Sequence, residues 1–78
     1  MTQTSEPAIV MYTHPSCAFS AAAKADYRKR QVEFVEIDLS LQPDEIPGLE
    51  RLTGGERVTP VIVHNGDVQA LPRTQSIE

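Results

Sequence analysis

The sequence predicts an α/β fold, with elements in the order β-α-β-α-β-β around a four-stranded mixed sheet, and three stretches carry that expectation. Ala8 to Tyr12 is a short apolar run of strand formers, and Cys17 to Arg30 follows it without a Gly or Pro and rich in alanine. Together with the strand pattern of Glu33 to Leu39, they make a βαβ unit with parallel strands and a right-handed crossover. Asn65-Gly66, set between two apolar runs, is a strong signal of a tight hairpin and adds an antiparallel pair.

Composition narrows the class. Hydrophobic residues at 40% and charged residues at 23% are ordinary for a globular chain, and no apolar run approaches the length of a membrane span. The 78 residues are expected to form one domain, with a core at about 8–68, tails at 1–7 and 69–78, and the modest interior of a small chain. A net charge of −4 speaks against nucleic acid as a partner, because such surfaces depend on clustered Lys and Arg. The one basic cluster, Lys24, Arg28, Lys29 and Arg30, falls where the first helix should end. It reads as a solvated face that complements the helix dipole, with a docking patch as the other reading. Met1 to Pro7 lacks the pattern of a secretory signal, and the single Cys17 has no disulfide partner within the chain, so a reducing, cytoplasmic setting is expected.

Ala8 to Tyr12 reads as a strand covered on both faces. Pro15 disfavours helical geometry at His14, and Ser16 is the expected N-cap, so the first helix should start at or beside Cys17. Phe19, Ala22, Ala23, Asp26 and Tyr27 recur at helical spacing and mark its expected inward face, with Asp26 at the margin pairing to Arg30. Gln31-Val32 closes the helix. The acids of Glu33 to Leu39 suggest an edge strand. Ser40 to Ile46 reads as a turn, followed by a short helix from Pro47 or Gly48 to Thr53, with Leu49 and Leu52 inward and Gly54 as a left-handed cap. Pro72 interrupts the final residues, so a last helix should be short or missing and the end a loose tail.

The chemistry concentrates at Cys17. A thiol at a helix start meets unpaired backbone N–H groups and the positive end of the dipole, which favour thiolate over thiol. The bland alternative is a buried, inert cysteine. Ser20, one turn on, either donates to the thiolate or is a solvated helix serine. Because no second cysteine exists, a mixed disulfide at Cys17 would need an external thiol to resolve it. His14 is close enough in sequence to tune Cys17 or touch a substrate, whereas His64 reads as a surface residue. One Cys and two His make no recognisable zinc set.

The run Ile9-Val10-Met11-Tyr12-Thr13-His14-Pro15-Ser16-Cys17-Ala18-Phe19-Ser20, then Ala23-Lys24, Val32-Glu33-Phe34, Ile37-Asp38, Gly54-Gly55, Arg57 and Val58-Thr59-Pro60, resembles a glutaredoxin over about residues 8–68. The resemblance implies a truncated thioredoxin/glutaredoxin-like fold and a monothiol thiol-disulfide oxidoreductase that acts on glutathione mixed disulfides. Cys17 would then be the nucleophile and Ser20 its helper, with His14, Phe19, Arg57, Val58, Thr59 and Pro60 forming the glutathione site. Pro60 would be a cis proline facing Cys17, leaving the Thr59 backbone free to pair with an extended peptide.

Glutathione would serve as co-substrate, and the partners would be glutathione, glutathionylated proteins or a thiol reductase, met by a monomer. Cys17-Ala18-Phe19-Ser20 also resembles the Cys-Gly-Phe-Ser site of iron–sulfur carriers, which implies the alternative of a dimer bridging a [2Fe–2S] cluster through Cys17 of each chain and two glutathione thiols. A third reading is a thiol-binding module without turnover. The chain departs from the family pattern at His14, where Lys is common, and at Gln69-Ala70-Leu71-Pro72, which replaces a Gly-Gly-acidic motif.

Overall fold

Residues 9–69 and 74–76 are described in the structure, a computed structural model. Strand β1 (Ile9–Thr13) leads through a turn into helix α1 (Ala18–Lys29), which returns the chain to β2 (Val35–Asp38). A 3₁₀ turn (Pro43–Glu45) runs directly into α2 (Ile46–Thr53), and short strands follow: β3 (Val58–Thr59), β4 (Val61–His64), β5 (Asp67–Val68) and β6 (Gln75–Ser76). The main sheet has the order β2-β1-β4-β5, with β1 parallel to β2 and antiparallel to β4. This is the mixed four-stranded sheet that the sequence predicts, in a truncated thioredoxin-like arrangement. The β2 strand lies at its edge, as its acids suggest.

Alternation along the central strands divides the interior into two unlike halves. Val61 and Val63 of β4, with Leu39 and Leu49, form an apolar core, against which Val10, Tyr12, Ile37 and Leu52 pack. Helix α2 covers that face. On the other face, Thr13 of β1 donates to Glu36 of β2, and Glu36 accepts from Lys24 of α1 at 2.8 Å. Tyr27 of α1 is hydrogen-bonded to His64 of β4 at 3.1 Å and lies edge-on to Phe34. Helix α1 therefore sits on a partly polar surface whose groups are satisfied.

That polar surface turns α1 away from the expected orientation. Ser20, Ala23, Lys24 and Tyr27 face the sheet at i, i+3, i+4 and i+7, whereas Ala22 and Asp26 are exposed. Asp26 does pair with Arg30, at 2.8 Å. The basic cluster is likewise not a uniform solvated face: Lys24 points inward to Glu36, Arg30 lies over the Tyr27 ring, and Arg28 lies over Phe34.

The helix ends follow backbone chemistry. At the close of α1, the N–H of Gln31 reaches the Arg28 carbonyl and that of Val32 reaches Tyr27, the Schellman pattern, with Gln31 at φ 61°. Gly54 caps α2 at φ 77°, as expected. Helix α2 begins at Ile46, before the expected Pro47, because Pro47 occupies the first turn, where its missing N–H costs no hydrogen bond. Asn65 and Gly66 both have positive φ and close the predicted hairpin, pairing Val63 with Val68.

The end of the chain departs most from expectation. In place of a loose tail, β6 pairs antiparallel with β3 as a separate two-stranded sheet, Val58 opposite Ser76 and Thr59 opposite Gln75. The expected tails at 1–7 and 69–78 otherwise lie largely outside the described residues, as does Pro72. No helix among the described residues is long and apolar enough to cross a membrane.

Candidate active site around Cys17

Cys17 stands beyond the carboxyl end of β1, where open sheets of this kind gather their sites. The turn from His14 to Cys17 is closed by the Cys17 N–H donating to the His14 carbonyl at 3.0 Å. Cys17 itself is the N-cap of α1: its Sγ accepts from the Ser20 N–H at 3.4 Å. The expected cap, Ser16, is instead held by His14, whose Nδ1 accepts from the Ser16 N–H at 3.2 Å and lies 2.8 Å from the Ser16 hydroxyl. An imidazole within reach of Ser16 thus takes its hydroxyl out of contention, and the sulfur fills the cap.

The thiol proton has its own acceptor. Cys17 Sγ donates to the carbonyl of Thr59 at 3.3 Å, which joins the start of α1 to β3. Cys17 is 2% exposed and Thr59 fully buried. Burial raises the Cys17 pKa, but the Ser20 hydroxyl, the Thr59 side chain and the backbone N–H groups of Ser20 and Phe19 lower it further, and the thiol sits below its ordinary range. Ser20 is buried, so its alternative reading as a solvated helix serine is corrected. The Thr59 hydroxyl has no hydrogen-bond partner beside the protonated thiol, and it is available to the thiolate that replaces it.

The other site residues expected from the sequence take different places. The Thr59–Pro60 peptide is cis and Pro60 is buried. Val58 and Thr59 pair with Ser76 and Gln75 of β6, where the sequence left the Thr59 backbone free for an extended peptide. Arg57 is exposed and donates from Nε to Glu50 at 2.6 Å, a contact across the α2–β3 loop. Phe19 is half-buried on the first turn of α1. His14 is bound to the turn through Ser16 and through its own N–H, which donates to the Ser20 hydroxyl at 3.4 Å. Sequence reasoning placed the Thr59 backbone at the site as a peptide contact but missed its carbonyl as the acceptor of the Cys17 thiol, and missed β6 as a neighbour. A carbonyl carries no residue-type signal, and the β6 residues Gln75 and Ser76 have no strand pattern.

A thiol at a helix start, with donors converging on its sulfur, is arranged to ionise. Residues 9–69, which include all of this site, match the glutaredoxin family model. The chain belongs to the glutaredoxin family. No curated protein matches its sequence. For a glutaredoxin, a family of thiol-disulfide oxidoreductases, the sulfur at the start of α1 is the expected reactive group, and here its partners are Ser20 and Thr59.

Proposed function

We propose that the protein is a monothiol glutaredoxin-type oxidoreductase that reduces glutathione mixed disulfides through Cys17. The observation that supports it best is the set of donors lowering the Cys17 pKa: the Ser20 hydroxyl, the Thr59 side chain and the N–H groups of Ser20 and Phe19. In the first step, the Cys17 thiolate attacks the glutathionyl sulfur of a mixed disulfide. That S–S bond breaks, the substrate leaves as a thiolate that takes a proton from water, and Cys17 becomes glutathionylated. In the second step, a free glutathione thiolate attacks the same glutathionyl sulfur. Oxidised glutathione leaves and the Cys17 thiolate returns, so the net exchange turns the mixed disulfide and one free glutathione into the reduced substrate and oxidised glutathione. Ser20 and Thr59 hold the thiolate in both steps.

On this reading Pro60 and Phe19 border the site, the backbone of Val58 and Thr59 recognises an extended peptide, and His14 and Arg57 supply weaker polar contacts. The protein acts as a single-domain monomer in a reducing, cytoplasmic setting, with glutathione or glutathionylated proteins as partners. The cluster-carrier reading rests on the sequence resemblance, and the thiol-binding module without turnover on the departure from the family motif at Gln69-Ala70-Leu71-Pro72 and on the short tail. A cluster bridged through Cys17 of each chain and two glutathione thiols would need an accessible sulfur, and Cys17 is buried.

The test is turnover. The wild-type chain with reduced glutathione should accelerate reduction of a small glutathione mixed disulfide, and Cys17→Ser should abolish the acceleration. Equal rates with and without wild-type protein would remove the proposal.

A further inference from the structure

The nucleophile is sealed. Cys17, only 2% exposed, leaves a disulfide sulfur no in-line approach, so the site described above has to open before it reacts. What lies beside it is a weakly held element. β3 has β6 as its ladder partner, the match covers only Val58 with Ser76 and Thr59 with Gln75, and Pro60 ends the ladder because it has no N–H. Thr74, Gln75 and Ser76 are exposed, so β6 buries little to hold itself in place. A two-stranded pair of this size is marginal in water and opens readily.

The position of β6 gives that weakness a meaning. Thr59, opposite Gln75, is the residue whose carbonyl receives the Cys17 thiol. An extended peptide docking by strand addition beside Cys17 would lie along β3 at Thr59, the residue that β6 now pairs with. We propose that β6 is a strap acting in cis: Gln75 and Ser76 occupy the docking edge of β3 and keep Cys17 closed until an extended peptide carrying a disulfide displaces them. The inference rests on the reading that Cys17 forms mixed disulfides. It adds that the chain competes with its own substrate for that edge.

The test uses the full chain with Gln75→Pro and Ser76→Pro made singly, since in an antiparallel ladder one of these two adjacent residues carries the exchanged N–H···O pair. The probe is the rate of Cys17 alkylation by iodoacetamide. Removing one ladder hydrogen bond should speed alkylation by about tenfold in at least one variant, and rates equal to wild type in both would overturn the strap.

Should a variant lose the wild-type circular dichroism, hydrogen exchange on the wild-type chain decides. Carbamidomethylation of Cys17 should strip protection from whichever of the Gln75 and Ser76 amides bonds to β3, and retained protection there would overturn the strap. Oxidised glutathione, tested in parallel, separates the two claims. Faster alkylation without a glutathione adduct keeps the strap and removes the proposed function. A glutathione adduct with unchanged alkylation removes the strap alone.

Discussion

The sulfur of Cys17 and the carbonyl oxygen of Thr59 lie 3.3 Å apart although 42 positions separate the two residues in the chain. That contact ties the start of α1 to β3 and defines the thiol state. The carbonyl accepts a hydrogen bond from the protonated thiol, whereas the hydroxyls of Ser20 and Thr59 favour the thiolate. Reactivity at this site therefore belongs to both segments.

Ser20 should tune the thiol without building the fold. Its hydroxyl lowers the Cys17 pKa and accepts the His14 N–H. In Ser20→Ala the midpoint of alkylation against pH should move upward, by about one neutral hydrogen bond's worth of thiolate stabilisation, and the rate below that midpoint should fall. Iodoacetamide kinetics from pH 5 to 10 read both effects. An unchanged midpoint would show that the hydroxyl does not act on the sulfur.

Thr59→Val should separate stability from reactivity. The Thr59 hydroxyl is buried and without a hydrogen-bond partner, so removing it should raise stability by roughly 1 kcal/mol. The same substitution leaves the carbonyl in place and removes a group that lowers the Cys17 pKa, so alkylation at pH 7 should slow. Thermal melts and alkylation rates on one sample decide it. A variant that loses stability shows that the hydroxyl is satisfied in solution.

Glu36 should give the fold an acid-sensitive element. The hydrogen bond from Lys24 holds its carboxyl below the usual range, against burial that raises it, with help from Thr13. A carboxyl depressed on folding contributes stability that is complete above its unfolded pKa of about 4.3 and is lost as pH falls through the folded value. Glu36→Gln should therefore flatten the loss of stability below about pH 4.3, while lowering stability at pH 7 by about 1–2 kcal/mol. Urea unfolding at pH 7 and pH 3 measures the difference.

Gln31 and Leu49 mark opposite ends of tolerance. Gln31 sits at φ 61°, where a side chain is unfavourable, and Gln31→Gly should stabilise by about 0.5–1 kcal/mol. Leu49 is fully buried in the apolar half-core, and Leu49→Ala should cost about 2–5 kcal/mol, enough to unfold much of so small a domain. Thermal denaturation should separate the two by sign.

The fold was legible where residues act through backbone preference. The alanine-rich helix, the Asn65-Gly66 hairpin and Gly54 all carried local signals, and the structure holds each of them. The face of α1 was not legible, because a search for an apolar stripe assumes an apolar surface below. Here Lys24 and Tyr27 meet Glu36 and His64 instead. At the site, the motif located Cys17, Ser20 and Pro60. The capping role passed from Ser16 to the sulfur because His14 engages Ser16, an interaction that propensity does not record. The pairing of β6 with β3 was invisible, since Gln75 and Ser76 act through their backbone.

The central claim is that Cys17 is a nucleophile that accepts a glutathionyl group. Intact mass spectrometry of the wild-type chain after prolonged incubation with oxidised glutathione tests it directly. The account predicts one added glutathionyl group, mapped to Cys17, released by reductant and absent in Cys17→Ser. An unmodified wild-type chain under the same conditions would contradict it.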